Sequence, residues 1–380
     1  MIGGIPQGIL ELLEILESHG HFSYLVGGCV RDLLMDQTPK DWDICTPATP
    51  EELKEIFPSC IAMGEKYGTI GVKTQEGIVE ITTFREEFEY QNFRHPRVVF
   101  VKELNKDLKR RDFTINAIAY HPQRGIVDDF NGVCDLKKKV LRCVGDASTR
   151  FQEDALRILR LVRFSCRFGF APEQETLQEA LRYKHLLQQI AFERIAQELL
   201  LIIQGRYLHQ FFKVYREIFA LVLPELSHPK QNRIENLSLL LAYLFDTQKA
   251  LDRFVIKKEI KTRAQILIDY KAIKLEEDMI AIKMLLRTIG YDCFMALLEL
   301  KKLMGMNTKR IYQMLQAIMI GDECFCLKDL QIKGEDLKKM GFGGKKIGEV
   351  LESLLDDVIY GRVCNTYEAL HKRALYFSRM

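Results

Sequence analysis

Long apolar runs are missing from this chain. No stretch of about eighteen consecutive apolar residues occurs in its 380 residues, so a membrane-spanning helix is not expected. The amino terminus, MIGGIPQGILELLEILESHG, lacks the basic region and small-residue cleavage site of a secretory signal, and its apolar spacing reads as an amphipathic helix. Paired cysteine spacing is missing too. The ten cysteines, from Cys29 to Cys364, contain no CxxC and no Cys/His zinc pattern, which predicts reduced thiols in a cytoplasmic protein. Excess charge of one sign is absent: 55 basic residues face 52 acidic ones, for a net charge of +3. That balance excludes a histone-like binder but leaves room for a local basic stripe. Tryptophan occurs once, at Trp42, and neither low-complexity tracts nor internal repeats occur. With 47% apolar and 28% charged residues, what remains is an ordinary globular composition, long enough for two or three domains.

The pattern changes near residue 150. Before it come short β-like runs broken by turns, among them SYLVGG, DWDICT, TIGVKT, GIVEITTF and RVVFV. After it, long helical patterns such as EDALRILRLVRFSCRF and AFERIAQELLLIIQ dominate. The expected fold class is therefore α+β: a mixed-sheet head followed by an all-helical remainder. HPKQNRIENLS (228–238) reads as a connection between helices, and GFGGKKIG (341–348) as a sharp helix-to-helix turn.

Asp41 and Asp43 are the first candidates for chemistry. In a strand, residues two apart share a face, so both carboxylates would converge. Side by side they repel unless a hard cation such as Mg²⁺ neutralises them, and paired metals are a recurring device for phosphoryl transfer. Glu80, inside the apolar run GIVEITTF, offers a third acid on a neighbouring strand. Upstream, Gly27 and Gly28 stand where a strand would give way to a helix, so that the backbone can approach a phosphate and Arg31 can fork onto it. Each half also has a plain reading, a surface charge pair and an ordinary glycine turn. Further on, Ile158, Leu159, Leu161 and Val162 fall on one helical arc while Arg157, Arg160 and Arg163 fall on the other, with Arg167 continuing it. Asp154 and Arg157 are i,i+3 neighbours, within pairing distance. Trp42 should point away from its flanking aspartates into the core.

Taken together, VGGCVRDLL followed by KDWDICT, EITTFR, RRDFTINA and EDALRILRLVRF resembles the class II tRNA nucleotidyltransferases and bacterial poly(A) polymerases, whose head is of the polymerase-β type. The matching segments run from about residue 5 to 205. This resemblance implies a catalytic head (1–148), a helical neck that reads the base (149–205) and a helical body and tail that grip tRNA (206–380). It implies catalytic roles for Asp41, Asp43 and Glu80, with Mg²⁺ on Asp41 and Asp43. It implies nucleotide contacts from Gly28, Arg31, Arg111, Asp112, Asn116, Asp154, Arg157, Arg160 and Arg163. Within that set Asp112 would read a ribose hydroxyl, Asp154 and Arg157 the base edge, and Arg160 and Arg163 the triphosphate. AFERIAQELL would brace the neck through Glu193 and Arg194. The segment 85–104 corresponds to a loop that is shortened in CC-adding relatives and is not shortened here. The implied activity is addition of C, C and A to a tRNA 3′ end from CTP and ATP. The alternatives are an enzyme adding only CC or only A, a poly(A) polymerase, and a non-catalytic RNA-binding scaffold.

Overall fold

The computed structural model describes residues 3–91, 95–227, 229–230, 234–321 and 323–378. The connection expected at 228–238 therefore lies partly outside the described residues, as do the two extreme termini. The chain forms two compact units, Met1–Arg233 with Arg253–Val255, and Ile234–Asp252 with Ile256–Met380. Residues 206–233, grouped with the body by sequence, thus belong to the unit that holds the head. Tyr215 shows why. It is fully buried, and its hydroxyl lies 2.8 Å from Ser165 Oγ on a neck helix.

The head is an α+β structure, as its alternating patterns predict. Its strands are β1 (Tyr24–Val26), β2 (Asp43–Thr46), β3 (Ile61–Ala62), β4 (Thr69–Thr74), β5 (Gly77–Thr83), β6 (Arg85–Gln91), β7 (His95–Phe100), β8 (Ala119–His121) and β9 (Gly125–Val127). Among the described residues, seven of these form one sheet in the order β3-β4-β5-β2-β1-β8-β9. β2 and β5 run parallel, and the other described pairings in this sheet are antiparallel. β6 and β7 form a separate antiparallel hairpin within the segment expected to be a loop, and its tip at 92–94 lies outside the described residues.

The first helices of this unit are α1 (Gln7–Ser18), α2 (Gly28–Leu34), α3 (Pro50–Ile56), α4 (Leu104–Lys109) and α5 (Gly132–Lys138). α1 buries Ile9, Leu12, Leu13 and Leu16, the i, i+3, i+4, i+7 stripe of an amphipathic helix. That stripe joins Leu25, Ile44, Ile70, Ile81 and Trp42 in the head core, so Trp42 points where the sequence predicts. α3 starts with a capping box: Thr49 accepts from Glu52 N, and the Glu52 carboxylate accepts from Thr49 N at 2.7 Å.

The neck that follows is α6 (Ala147–Glu153), α7 (Leu156–Phe168), α8 (Gln174–Tyr183) and α9 (Phe192–Ile203). The pattern EDALRILRLVRF reads as one helix, yet the chain breaks at Asp154, whose backbone is extended (φ −143°, ψ 100°). The Asp154 carboxylate accepts from Leu156 N at 3.1 Å and starts α7, the local alternative to helix that aspartate offers.

The second unit is helical throughout its described elements, from Leu237–Leu244 to Tyr367–Ser378. Leu330, Ile332, Leu337, Leu354, Leu355, Leu370 and Ala374 are fully buried in its core. The GFGGKKIG turn separates helices Gly334–Lys339 and Lys345–Ile359, as its glycines predict.

Candidate active site

β1 ends at Val26 and α2 begins at Gly28, so Gly27 must turn the chain. It does so at φ 78°, a conformation that favours glycine. A Cβ there would also meet Arg111 Nη1 at 2.8 Å. Gly27 therefore serves two needs: the turn, and the space that lets Arg111 lie against the backbone. Arg111, Gly27 and Gly28 line a cavity of about 590 Å³ in the first unit.

The same cavity receives Asp41 and Asp43. Only Asp43 lies in β2; Asp41 sits in the bend before it and is exposed. The expectation that both belong to one strand is corrected in that detail. Alternation nonetheless persists through the bend, because Trp42 O accepts from Glu80 N and continues the pairing with β5. Glu80 stands directly across from Asp43 in the parallel register. Its side chain is exposed and does not line the cavity, and among the described residues no group of three acidic, His or Cys side chains is close enough to hold a metal ion. Strand register brings Cα atoms together, but repulsion from Asp43 favours a Glu80 side chain turned to water. Burial pushes the Asp43 carboxyl up to about 6; Arg111 opposes this, while Glu80 and Asp41 add to it.

The same cavity is lined by eight arginines: Arg31, Arg110, Arg111, Arg157, Arg160, Arg163, Arg167 and Arg194. Most have fixed partners. Arg31 donates from Nε to Asp32 at 2.9 Å and from Nη1 to Asn116 Oδ1 at 2.6 Å. Asn116 Nδ2 donates in turn to Asp112 Oδ1 at 3.0 Å, and Arg160 Nε donates to Asp112 Oδ2 at 2.7 Å. One hydrogen-bond chain thus ties α2, the RRDFTINA segment and α7 together. Burial raises the Asp112 carboxyl, but Arg160, Asn116 and the Phe113 amide outweigh it and hold the group down at about 2. Arg163 donates to Glu198 on α9 at 3.1 Å, and burial together with the like charge of Arg160 lowers it to about 10. Nε of Arg111 and Nε of Arg163 are buried without a hydrogen-bond partner. Buried guanidinium donors with nothing to satisfy them suit an incoming anion.

The expected Asp154–Arg157 pair does not form. The extended backbone at 154 carries that carboxylate to Arg194 Nη2, at 2.8 Å. Arg157 instead donates to Glu153 at 2.5 Å and to the carbonyls of Arg150 (2.9 Å) and Arg110 (3.0 Å). Arg157 is also buried, 7% exposed, whereas Arg167 at the far end of the same arc is exposed. The cavity wall contains residues that sequence reasoning did not single out, Glu87 and Phe164, and one it assigned to bracing, Arg194. Phe164 was legible as the i+4 neighbour of Arg160. Arg194 was not, because its helix lies 40 residues downstream of Asp154 and only packing unites them.

Behind the wall, Asp107 on α4 is fully buried. It accepts from Arg110 Nε at 2.9 Å and Arg111 Nη2 at 3.3 Å, so it aims both arginines. Burial acts against its charge, and the two guanidiniums more than compensate, lowering its pKa. Arg110 also reaches Glu87 on β6 at 3.1 Å, which connects the hairpin to this network.

Comparison with known proteins gives a consistent pattern. Three family descriptions match in order along the chain: "Poly A polymerase head domain" over residues 23–142, "Probable RNA and SrmB- binding site of polymerase A" over 169–228, and "tRNA nucleotidyltransferase domain 2 putative" over 231–374. A CCA-adding enzyme of Anoxybacillus flavithermus is 44% identical over 229 residues, covering 60% of this chain and 57% of that one. One from Lactobacillus delbrueckii subsp. bulgaricus is 47% identical over 205 residues, covering 54% and 52%. The aligned part of the chain spans about half the length of these curated relatives. The crystal structure of the Bacillus stearothermophilus CCA-adding enzyme in complex with CTP superposes with a TM-score of 0.81 at 26% identity, over 98% of this chain and 97% of that one.

Proposed function

We propose that this chain, which belongs to the family of class II tRNA nucleotidyltransferases and bacterial poly(A) polymerases, adds C, C and A to the 3′ end of tRNA from CTP and ATP. The observation that carries the reading is the cavity. Its lining combines the like-charged carboxylates of Asp41 and Asp43 with guanidiniums, two of which, Arg111 and Arg163, have an unpartnered donor. A nucleoside triphosphate has complementary needs, a polyanion to be held and a phosphorus to be attacked.

The donor set at Asp41 and Asp43 fits Mg²⁺: oxygen ligands only, with an Asp43 charge that burial and its acidic neighbours disfavour until a cation offsets it. Asp41 and Asp43 would hold the metal, which supplies Lewis-acid activation of the 3′-hydroxyl and charge neutralisation on the pyrophosphate. Glu80, one strand over, adds negative charge to that corner without lining the cavity.

The remaining work falls to side chains. Arg111 and Arg163 offer free donors to phosphate oxygens. Asp112, held by Arg160 and Asn116, keeps the segment rigid and would offer its carboxylate to a ribose hydroxyl. Asp154 and Arg157 both line the cavity and would read the base edge, Arg157 by exchanging an intramolecular partner for the base; C and A both expose an amino donor beside a ring acceptor. Arg194 orients Asp154 for that task. Gly28, with Arg31 behind it, completes the phosphate side. The functional division into head (1–148), neck (149–205) and tRNA-gripping body (206–380) follows from the same reading, and cytoplasm is the matching compartment. Among the described residues no helix is long and apolar enough to cross a membrane.

Purified protein given tRNA transcripts that end before CCA, after C and after CC, with CTP and ATP singly and together, tests the reading by product length. Completion to CCA is expected. Extension only from the CC end, long A tails, or no product would each replace it.

A further inference from the structure

Ion pairs explain what the arginines of the cavity donate to. They do not explain how four guanidiniums stand side by side on one wall. On α7, Arg160, Arg163, Phe164, Arg167 and Phe168 recur at three- and four-residue intervals, so cations and rings share one face. Phe164 and Phe168 stack with centroids 5.8 Å apart and planes at 13°. Phe113 meets Phe164 edge-on at 5.8 Å, which locks the column against the RRDFTINA segment.

Guanidinium carbons lie over both rings. Arg163, Arg160 and Arg31 are 4.5, 5.4 and 5.6 Å from the Phe164 centroid. Arg31 and Arg167 are 4.7 and 4.9 Å from that of Phe168. All lie within the range over which a ring's negative face attracts a cation. Arg31 comes from α2 and the other three from α7, so the rings hold cations from head and neck in one cluster. Arg167 depends on this most, since its ion pair to Asp32 is long, at 3.9 Å. An aliphatic side chain could fill the same space but carries no such quadrupole.

We propose that the stacked Phe164 and Phe168 are positioning residues, holding Arg31, Arg160, Arg163 and Arg167 as a preassembled cationic wall for the triphosphate of the incoming nucleotide. The proposal rests on the nucleotide-transfer reading above and specifies how that site binds phosphate. The rings act through the arginines and touch no reacting atom. Because triphosphate is common to CTP and ATP, loss of the rings weakens both substrates alike and leaves the choice of base unchanged. Because the wall orders the ground state, the loss appears in KM rather than in kcat.

The test uses the full chain with Phe164→Leu, Phe168→Leu and Phe164→Tyr. Calorimetric titration with inorganic tripolyphosphate is run beside steady-state addition of C and A to tRNA. Phe168 is only half-buried, so its leucine variant serves if Phe164→Leu unfolds. Expected is a loss of about tenfold in tripolyphosphate affinity, with a matching rise in KM for CTP and ATP, little change in kcat, and near-normal behaviour of Phe164→Tyr. A folded leucine variant that binds tripolyphosphate as the parent does would overturn the proposal. So would unequal effects on CTP and ATP, or a tyrosine variant as impaired as leucine. If the parent protein binds tripolyphosphate but adds no nucleotide, the proposed function fails while the titration still reports on the rings.

Discussion

Asp43 and Asp112 are two largely buried aspartates on one cavity, and their surroundings drive them in opposite directions. Asp112 is enclosed by Arg160, Asn116 Nδ2 and the Phe113 amide, and its carboxyl is held at about 2. Asp43 is buried beside Glu80 and Asp41, with Arg111 as its principal opposing charge, and is pushed up to about 6. Burial acts the same way on both. The partners decide the outcome: a carboxylate that the protein itself satisfies is a fixed part of the framework, and one that the protein leaves under-compensated is poised for a cation. The acidic corner is thus where ligand enters the energetics, and the Asp112 knot is where the fold does.

Four variants separate those roles, beginning with the largest effect. Asp41→Ala should lower nucleotide incorporation about a thousandfold, by removing a metal-holding carboxylate, while tRNA retention on filters and the thermal midpoint stay near those of the parent. Unchanged turnover would remove the acidic corner from the chemistry. Asp112→Ala should behave in the opposite way, costing about 3 kcal/mol of stability in urea unfolding because Arg160 is left without its partner. A midpoint within error of the parent would mean the knot is not structural.

The pH dependence of that knot has a definite sign. The folded pKa of Asp112, about 2, lies below the roughly 3.9 of an unfolded aspartate. Its contribution is therefore complete above about pH 4 and is lost as pH falls through about 2. Parent and Asp112→Asn should converge in stability by about 2 kcal/mol between neutral and strongly acid pH, and parallel curves would contradict the assignment. The smallest effect is expected behind the wall. Asp107→Asn removes the charge that aims Arg110 and Arg111 and should raise KM for CTP about tenfold with the fold retained. A purely structural role for Asp107 would instead appear as a lower thermal midpoint with KM unchanged.

Much of the site is readable in one dimension because its pieces are local. Gly27-Gly28 mark the end of β1 through the demand for positive φ, Asp41-x-Asp43 alternate around a buried Trp42, and the arginines of α7 repeat at helical spacing. Each depends on backbone geometry within a few residues, which local sequence encodes. The errors share one cause. By sequence Asp154 and its i+3 neighbour Arg157 stand within pairing distance, and nothing local links either of them to Arg194. In the folded chain Asp154 pairs with Arg194 across 40 residues, and Arg157 turns inward to Glu153 and two carbonyls.

By itself the sequence determined the α+β head, the helical remainder, the glycine turn and the acidic pair. Those properties follow from periodicity, backbone conformation and motif spacing, which act over short range. Only the tertiary structure decided which charges meet: Glu80 beside Asp43 but outside the cavity, Asp112 closed by Arg160, and four arginines gathered on two stacked rings. Side-chain electrostatics depend on distance and burial, and the packing of elements far apart in the chain is what sets both.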